Sequence, residues 1–580
     1  MAGQSMGMQM KEIQPPDKLP VPLKMAGIGN SHLAITANPA AQVWFNQGLN
    51  MLHDFWDYES ARAFEQSVRV DQNCAMCYWG LYQALMSRGN GPTAYSEAAL
   101  AGAVRLKDHA SKEEQLYIEA AVADNDAIKV DRAEQNPDRS KQVAILRQLV
   151  KQYPGDTQAK LFLAASLRDG YDDTGEPKKG TQEAIALLEE VLKTNPDDSA
   201  ANHYWIHAME PGAHPERALK SAQKLASLAP ASGHMVHMPG HIFYRVGDYG
   251  QAEHWFAASM AVDENYMRTQ HVAVDDDWNY IHNLMYAVAN LMEEGKLEEA
   301  MALSNKLSGG RGEFAATLYT HSPRDGMARL DNQLPVALRT GDWTSVLKMA
   351  NASRPGARFE NLNFLAGQLG DYARGMKAAE TGDLSAAQQA SDRLDAALWR
   401  MSQRVKDQAR EDSQKQKAAS DKTAVPALAV VMPDAQAQPL VDNLSVMSLE
   451  LRATILAAQK KLPEAKALFA DAAREEKDLG YREPPSFIRP VGETEGIALL
   501  RAGDYAGAHQ AYAAALVDRP NSGFGLYGEA RSSEASGNTT QALDEYAQFA
   551  KAWKNADSNL PELRHARDYL TEHEQDSPMN

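Results

Sequence analysis

The chain has 580 residues, 44% of them hydrophobic and 23% charged, with a net charge of −18. That composition suits a soluble folded protein of several domains or one long repeat array. The acidic balance speaks against a nucleic-acid partner, which needs basic surface, and no apolar run reaches the length that spans a bilayer.

The opening MAGQSMGMQMKEIQPPDKLP (1–20) lacks the cationic start and apolar segment of a signal peptide. Compartment therefore stays open: periplasmic or secreted if a leader has been removed, cytoplasmic otherwise. Residues 1–39 read as an N-terminal arm. The methionines of MGMQM offer thioethers for copper(I), with a plain tail as the alternative reading. From residue 40 a diverged helix pair begins, AQVWFNQGLNMLHDFWDYESARAFEQSVRVDQN, followed by CAMC at Cys74–Cys77. Without a second CxxC, that pair reads as thiols, buried or at the surface, with a two-thiolate half-site or reactive pair as the alternative.

A 34-residue period organises the rest of the chain. Pro196 in TNPDD and Pro230 in LAPAS are 34 apart, as are Gly503 and Gly537 further on. Turn-plus-helix strings recur at RVGDYGQAEHWF (Gly247), EEGKLEEAMAL (Gly295), TGDLSAAQQA (Gly382), RAGDYAGAHQAY (Gly503) and ASGNTTQALDEY (Gly537). A glycine at each turn permits a left-handed cap on the preceding helix. The expectation is an all-α tetratricopeptide-repeat (TPR) solenoid of antiparallel helix pairs, in which neighbours share a core that no pair can bury alone. The predicted boundaries are a larger array at 40–400, a polar helix and Pro/Ala linker at 401–440, a second array at 441–560 and a tail at 561–580.

Nine of the 16 histidines fall between His203 and His282, where an even spread would place about 2. His203 and His237 stand one period apart, and so do His207 and His241. His234 stands as far before Gly247 as His282 does before Gly295. Spacings of three and four put these side chains on one face of the first helix of each pair, the face that lines the concave wall of such arrays. Imidazoles stacked on adjacent helices suit copper or zinc. The predicted metal ligands are His203, His207, His234, His237, His241 and His282. Glu210 and Tyr244, also one period apart, share that wall as further ligands, outer partners or proton-transfer groups. His214, His254 and His271 fall outside the face and read as exposed.

Two other stretches collect charge. HSPRDGMARLD (321–331) and REPPSFIRPVGE (482–493) bring arginines and acids together, suiting a carboxylate or peptide site at Arg489 and Glu493, or ion pairs on the inner wall. No P-loop, GxSxG, HExxH or dinucleotide fingerprint is present, which removes the commoner hydrolase and nucleotide classes.

The strings NHYWIHAMEP (202–211), GHMVHMPGHIFYRVGDY (233–249), YIHNLMY (280–286), CAMCYWGL (74–81) and YREPPSFIRPVGETEGIALL (481–500) resemble an uncharacterised family of bacterial tetratricopeptide proteins. Its patterns run near NHxYIHAxE, GHLVHMPxHIYxRVGxY, YxxHNxxF, CAMAYWG and YxEPPxWYYPVRESLGAALL. The likeness covers roughly residues 40–550. It implies the repeat fold and the motif set, and no established activity. Cys77 stands where that pattern has alanine, and SFIRPVGE replaces WYYPVRE. Two functions follow from the sequence. One is a TPR protein that binds copper or zinc through its histidines, extending to a metalloenzyme that acts on a groove-bound ligand. The other is a scaffold that binds a peptide or partner protein in its groove without catalysis.

Overall fold

The computed structural model describes residues 14–88, 93–130, 137–309, 323–419 and 434–574. MGMQM, the start of HSPRDGMARLD and most of the Pro/Ala linker lie outside these residues. The described residues are helices joined by short turns, with one isolated bridge between Tyr171 and Pro177. The fold is all-α, a tetratricopeptide-type stack of antiparallel helix pairs. No described helix is long and apolar enough to cross a membrane.

Two compact units make up the chain, one of Met1–Ile242, Trp255–Tyr280 and Asp412–Val431, the other of Phe243–His254, Ile281–Glu411 and Met432–Asn580. In the first unit each helix packs on the next: Pro39–His53 on Asp57–Val70, that on Ala75–Arg88, and later Lys179–Thr194 on Ser199–Met209. Alternate helices also touch, Pro39–His53 meeting Ala75–Arg88 as expected where the first helices of successive pairs stack, and Pro39–His53 also meets the distant helix Ser199–Met209. The N-terminal arm is tied to this unit: the Met25 N–H donates to Gln47 (3.0 Å) and the Ser31 N–H to Asn50 (2.8 Å).

The second unit repeats the pattern. Glu360–Thr381, Ala437–Ala458, Val491–Ala502 and Gly523–Ala535 pack in succession, each also against its own partner helix. The polar stretch after residue 400 continues a single helix, Leu384–Ala419. The segment read as a C-terminal tail is helical over Pro561–Glu574, and Leu563 and Ala566 are buried in it. This helix packs on Thr539–Ala552 and covers its apolar face.

The turn glycines do what the period demands. Gly247, Gly295, Gly382, Gly503 and Gly537 all have φ between 72° and 84°, the left-handed region that side chains avoid. Gly341 (φ 70°) caps Leu334–Thr340 in the same way, at a turn (TGDW) outside the predicted set.

Cys74 and Cys77 are joined in a disulfide and both are buried, so they are neither free thiols nor a metal half-site. Cys74 immediately precedes helix Ala75–Arg88, and a spacing of three at a helix start brings the Cα atoms to 5.3 Å, within disulfide reach.

One buried acid of the second unit predicts a pH effect. Burial pushes the Glu450 carboxyl up to about 8, although it accepts a hydrogen bond from the Tyr372 hydroxyl at 3.0 Å. A raised folded-state value means its contribution is fully present below about 4.5, the unfolded value, and is lost as pH rises through 8. Glu450→Gln is expected to flatten the fall in unfolding free energy between pH 5 and pH 8 by roughly 3–4 kcal/mol. Urea titrations at the two pH values measure it, and an unchanged slope would contradict it.

Candidate metal centre

Three helices supply the site, and the residues they bring to it belong to the first unit. Ser199–Met209 is started by Asp198, whose side chain accepts from the Ala201 N–H at 2.8 Å. It presents His203 and His207 one turn apart and ends at Glu210. Gly233–Arg245 begins one repeat later and presents His234, His237 and His241. Pro239 within it cannot donate to the carbonyl of Met235. The third helix, Tyr249–Gln270, approaches closely because two residues of its neighbour have no side chain. A Cβ at Gly240 would lie 2.4 Å from the Phe256 ring, which packs 5.1 Å from His237. A Cβ at Gly233 would lie 1.6 Å from a carboxylate oxygen of Asp263. Gly240→Ala is therefore expected to cost about 1–3 kcal/mol, as over-packing does, read as a lowered urea midpoint. A midpoint equal to that of the parent would show that Phe256 moves aside freely.

His203, His234, His237, His241 and Glu210 are all buried, each less than 5% exposed, and His207 is nearly so. His203, His207 and His234 each offer a ring nitrogen such that the three lie within 4.8 Å of one another. The Nε2 atoms of His203 and His234 face each other at 3.1 Å. Their hydrogen bonds fix the tautomers. His203 Nδ1 is 2.6 Å from the backbone carbonyl of His53, which can only accept, so Nδ1 carries the proton. His234 Nδ1 is 3.0 Å from Asn279 Oδ1. Asn279 is held in that orientation by Ser259: the Ser259 hydroxyl donates to the Gly233 carbonyl (2.8 Å) and so must accept from Asn279 Nδ2 (3.3 Å). Asn279 Nδ2 also donates to Asp263 at 2.7 Å. Both Nε2 atoms therefore carry lone pairs, and neither has a hydrogen to give the other.

Protonation does not relieve this at neutral pH. Burial, and then the neighbouring imidazoles, push His203 and His234 well below the usual imidazole range. Burial also lowers His207, although Glu210 beside it pulls the other way. Glu210 is the opposite case. Burial alone would push it up, but His241 and His207 outweigh that and hold it well below the usual carboxylate range. Its two oxygens accept from His207 Nδ1 and His241 Nδ1, each at 2.7 Å. Glu210 is thus an orienting partner that turns the Nε2 lone pairs of two histidines inward, the arrangement seen around metal-bound imidazoles. The Nε2 atoms of His237 and His241 are also in contact.

Phe55 covers the triad. Its ring lies 4.8 Å from His203, 5.3 Å from His207 and 5.7 Å from His234. Its backbone has φ 57°, a conformation that costs a bulky residue energy and clusters at functional sites. Trp278 holds it there, donating its indole N–H to the Phe55 carbonyl (2.8 Å) while its own ring lies 4.9 Å from His234. Phe55, His53, Trp278 and Asn279 stand outside the residues predicted from the sequence. The positive φ at Phe55 has no sequence signal, and the role of His53 is played by its backbone.

The second unit holds the two remaining predicted residues. His282 is buried, with Nε2 4.0 Å from a carboxylate oxygen of Glu483. Tyr244 is buried edge-on against Tyr249 (5.4 Å) and Tyr286 (5.3 Å). His214, His254 and His271 are exposed.

No family model matches this sequence, and no curated protein does. Among solved structures the chain is similar to the human IFIT1 dimer with m7Gppp-AAAA, at 11% identity over 87% of this chain and 94% of that one, TM-score 0.33. It is also similar to yeast Tom70, at 10% identity over 93% of this chain and 96% of that one, TM-score 0.28.

Proposed function

We propose that this helical-repeat protein binds a transition metal, copper or zinc, with His203, His207 and His234 as the core ligands. The observation that carries this reading is the 3.1 Å approach of two Nε2 lone pairs whose partners forbid a hydrogen between them. Two nitrogens bonded to one ion at about 2.0–2.1 Å, with an angle of about 100° between them, stand at that separation. Neutral imidazoles suit copper and zinc better than harder ions. Glu210, Asn279 and the His53 carbonyl supply the outer hydrogen bonds. His241 is linked to the triad through Glu210, which also accepts from His207, and His237 is in contact with His241. Three imidazoles leave a coordination position for water or a ligand, the arrangement that lets zinc activate water. The Cys74–Cys77 disulfide fits an oxidising compartment.

The alternative, a groove that holds a peptide or partner protein, needs these side chains at an open surface. Their burial beneath Phe55 and Trp278 favours an enclosed ion. Titration of untagged protein with zinc(II) and copper against a chelating indicator tests the reading. About one ion bound per chain is expected, and less than about 0.2 would overturn it.

A further inference from the structure

The motif REPPSFIRPVGE places Arg489 and Glu493 one helical turn apart in sequence, but the fold of the second unit separates their roles. Glu493 pairs with Arg339. Arg489 pairs with no carboxylate among the described residues, and its buried Nε has no hydrogen-bond partner. The guanidinium is nevertheless held in place. It lies 5.7 Å from the Trp343 ring centroid, and its Nη1 sits against Gly341, whose φ of 70° favours glycine at that turn.

Arg489 lines a cavity of about 340 Å³ between helices Glu360–Thr381, Ala437–Ala458 and Val491–Ala502. Small-ligand pockets begin near this size. Thr454 is buried on the wall, and its hydroxyl also has no partner. The other cations are engaged: Arg501 pairs with Glu380 at 2.9 Å, and Lys460 donates to the Ala502 carbonyl at 2.9 Å. Glu450, buried nearby, is pushed up to about 8 by burial and supplies no full negative charge at neutral pH. Thr494 adds a second hydroxyl residue to the wall, and Met376, Ala379, Ile497 and Ala498 supply its aliphatic part.

We infer that this cavity binds a small organic carboxylate, its head on Arg489 and Thr454 and its short aliphatic body against Met376, Ile497 and Ala498. One unengaged guanidinium presents a planar fork that matches one carboxylate. A phosphate dianion would bring a second charge, and Arg501 and Lys460 are already engaged with Glu380 and the Ala502 carbonyl.

Calorimetric titration of the full chain with hexanoate, and separately with inorganic phosphate, tests this at low ionic strength. The expected result is saturable binding of one hexanoate per chain, weakened about tenfold or more by Arg489→Gln and by a smaller factor in Thr454→Val, which keeps the charge. Should Arg489→Gln fail to fold, Thr454→Val carries the comparison. The inference is overturned if hexanoate does not saturate by about 50 mM, if folded variants bind it as the parent does, or if phosphate binds more tightly than hexanoate.

Discussion

Alanine at His203 or His234 is expected to weaken zinc or copper binding by more than about 100-fold, and to abolish the metal-induced rise in melting temperature. Loss of an outer partner of a metal-bound histidine costs about 10–100-fold, and loss of a ligand costs more. Asn279→Leu should therefore fall in that lower range, because it removes the acceptor for His234 Nδ1 (3.0 Å) and frees the ring to turn, while also taking from Ser259 and Asp263 the amide donor they accept from. Glu210→Gln acts on two rings at once, since both its oxygens accept from histidines. It should weaken binding at least as much as Asn279→Leu. His214→Ala, at an exposed position, is the control and should change nothing. Competition with a chelator of known affinity measures all of these. Parent-like affinity in both His203→Ala and His234→Ala would rule the triad out as the metal site.

The second large effect lies in the second unit. Arg339 is fully buried between two carboxylates, with Nη2 2.7 Å from Glu293 and 2.9 Å from Glu493. Arg519 Nη1 and the Ser522 hydroxyl also reach Glu293, at 2.9 and 2.6 Å, and the Trp553 indole donates to its backbone carbonyl at 2.8 Å. Such a cluster adds little net stability over an apolar core, but removing one member strands the others. Arg339→Met is expected to cost about 3–5 kcal/mol, read from the urea midpoint. The acid limb should change as well. Burial alone would push Glu293 up, but Arg339 and Arg519 outweigh it and bring it to about 2. A lowered folded-state value gives stability that is present above about 4.5 and lost as pH falls towards 2. In Arg339→Met part of that loss has already occurred at neutral pH, so the fall below pH 4.5 should be shallower. A cost under about 1 kcal/mol with an unchanged acid limb would show that the cluster is not the constraint its geometry implies.

The periodic part of the fold was legible because the turn glycines are forced. A left-handed cap recurring with the repeat needs Gly247, Gly295, Gly382, Gly503 or Gly537, and sequence spacing records that need directly. The histidine register was legible for the same reason: helices Ser199–Met209 and Gly233–Arg245 begin one period apart, so equivalent positions line up. What was hidden depends on contacts distant in sequence. The His53 carbonyl reaches His203 across 150 residues, and Asn279 reaches His234 across 45. Neither a backbone acceptor nor a lone asparagine leaves a periodic trace. The disulfide was missed because two thiols three apart look the same in sequence whether reduced or joined. The pairing of Glu493 with Arg339 was missed because the partner stands 154 residues away, whereas the tempting Arg489 is only four away.

The most direct test is anomalous scattering from crystals of the untagged, full-length protein grown with zinc or copper and measured at the metal's absorption edge. The expected result is a peak bonded to the Nε2 atoms of His203 and His234 at about 2 Å, with His207 turned towards it. A metal-loaded crystal with no peak there, or with peaks only at exposed histidines such as His214 and His254, would contradict the proposed site.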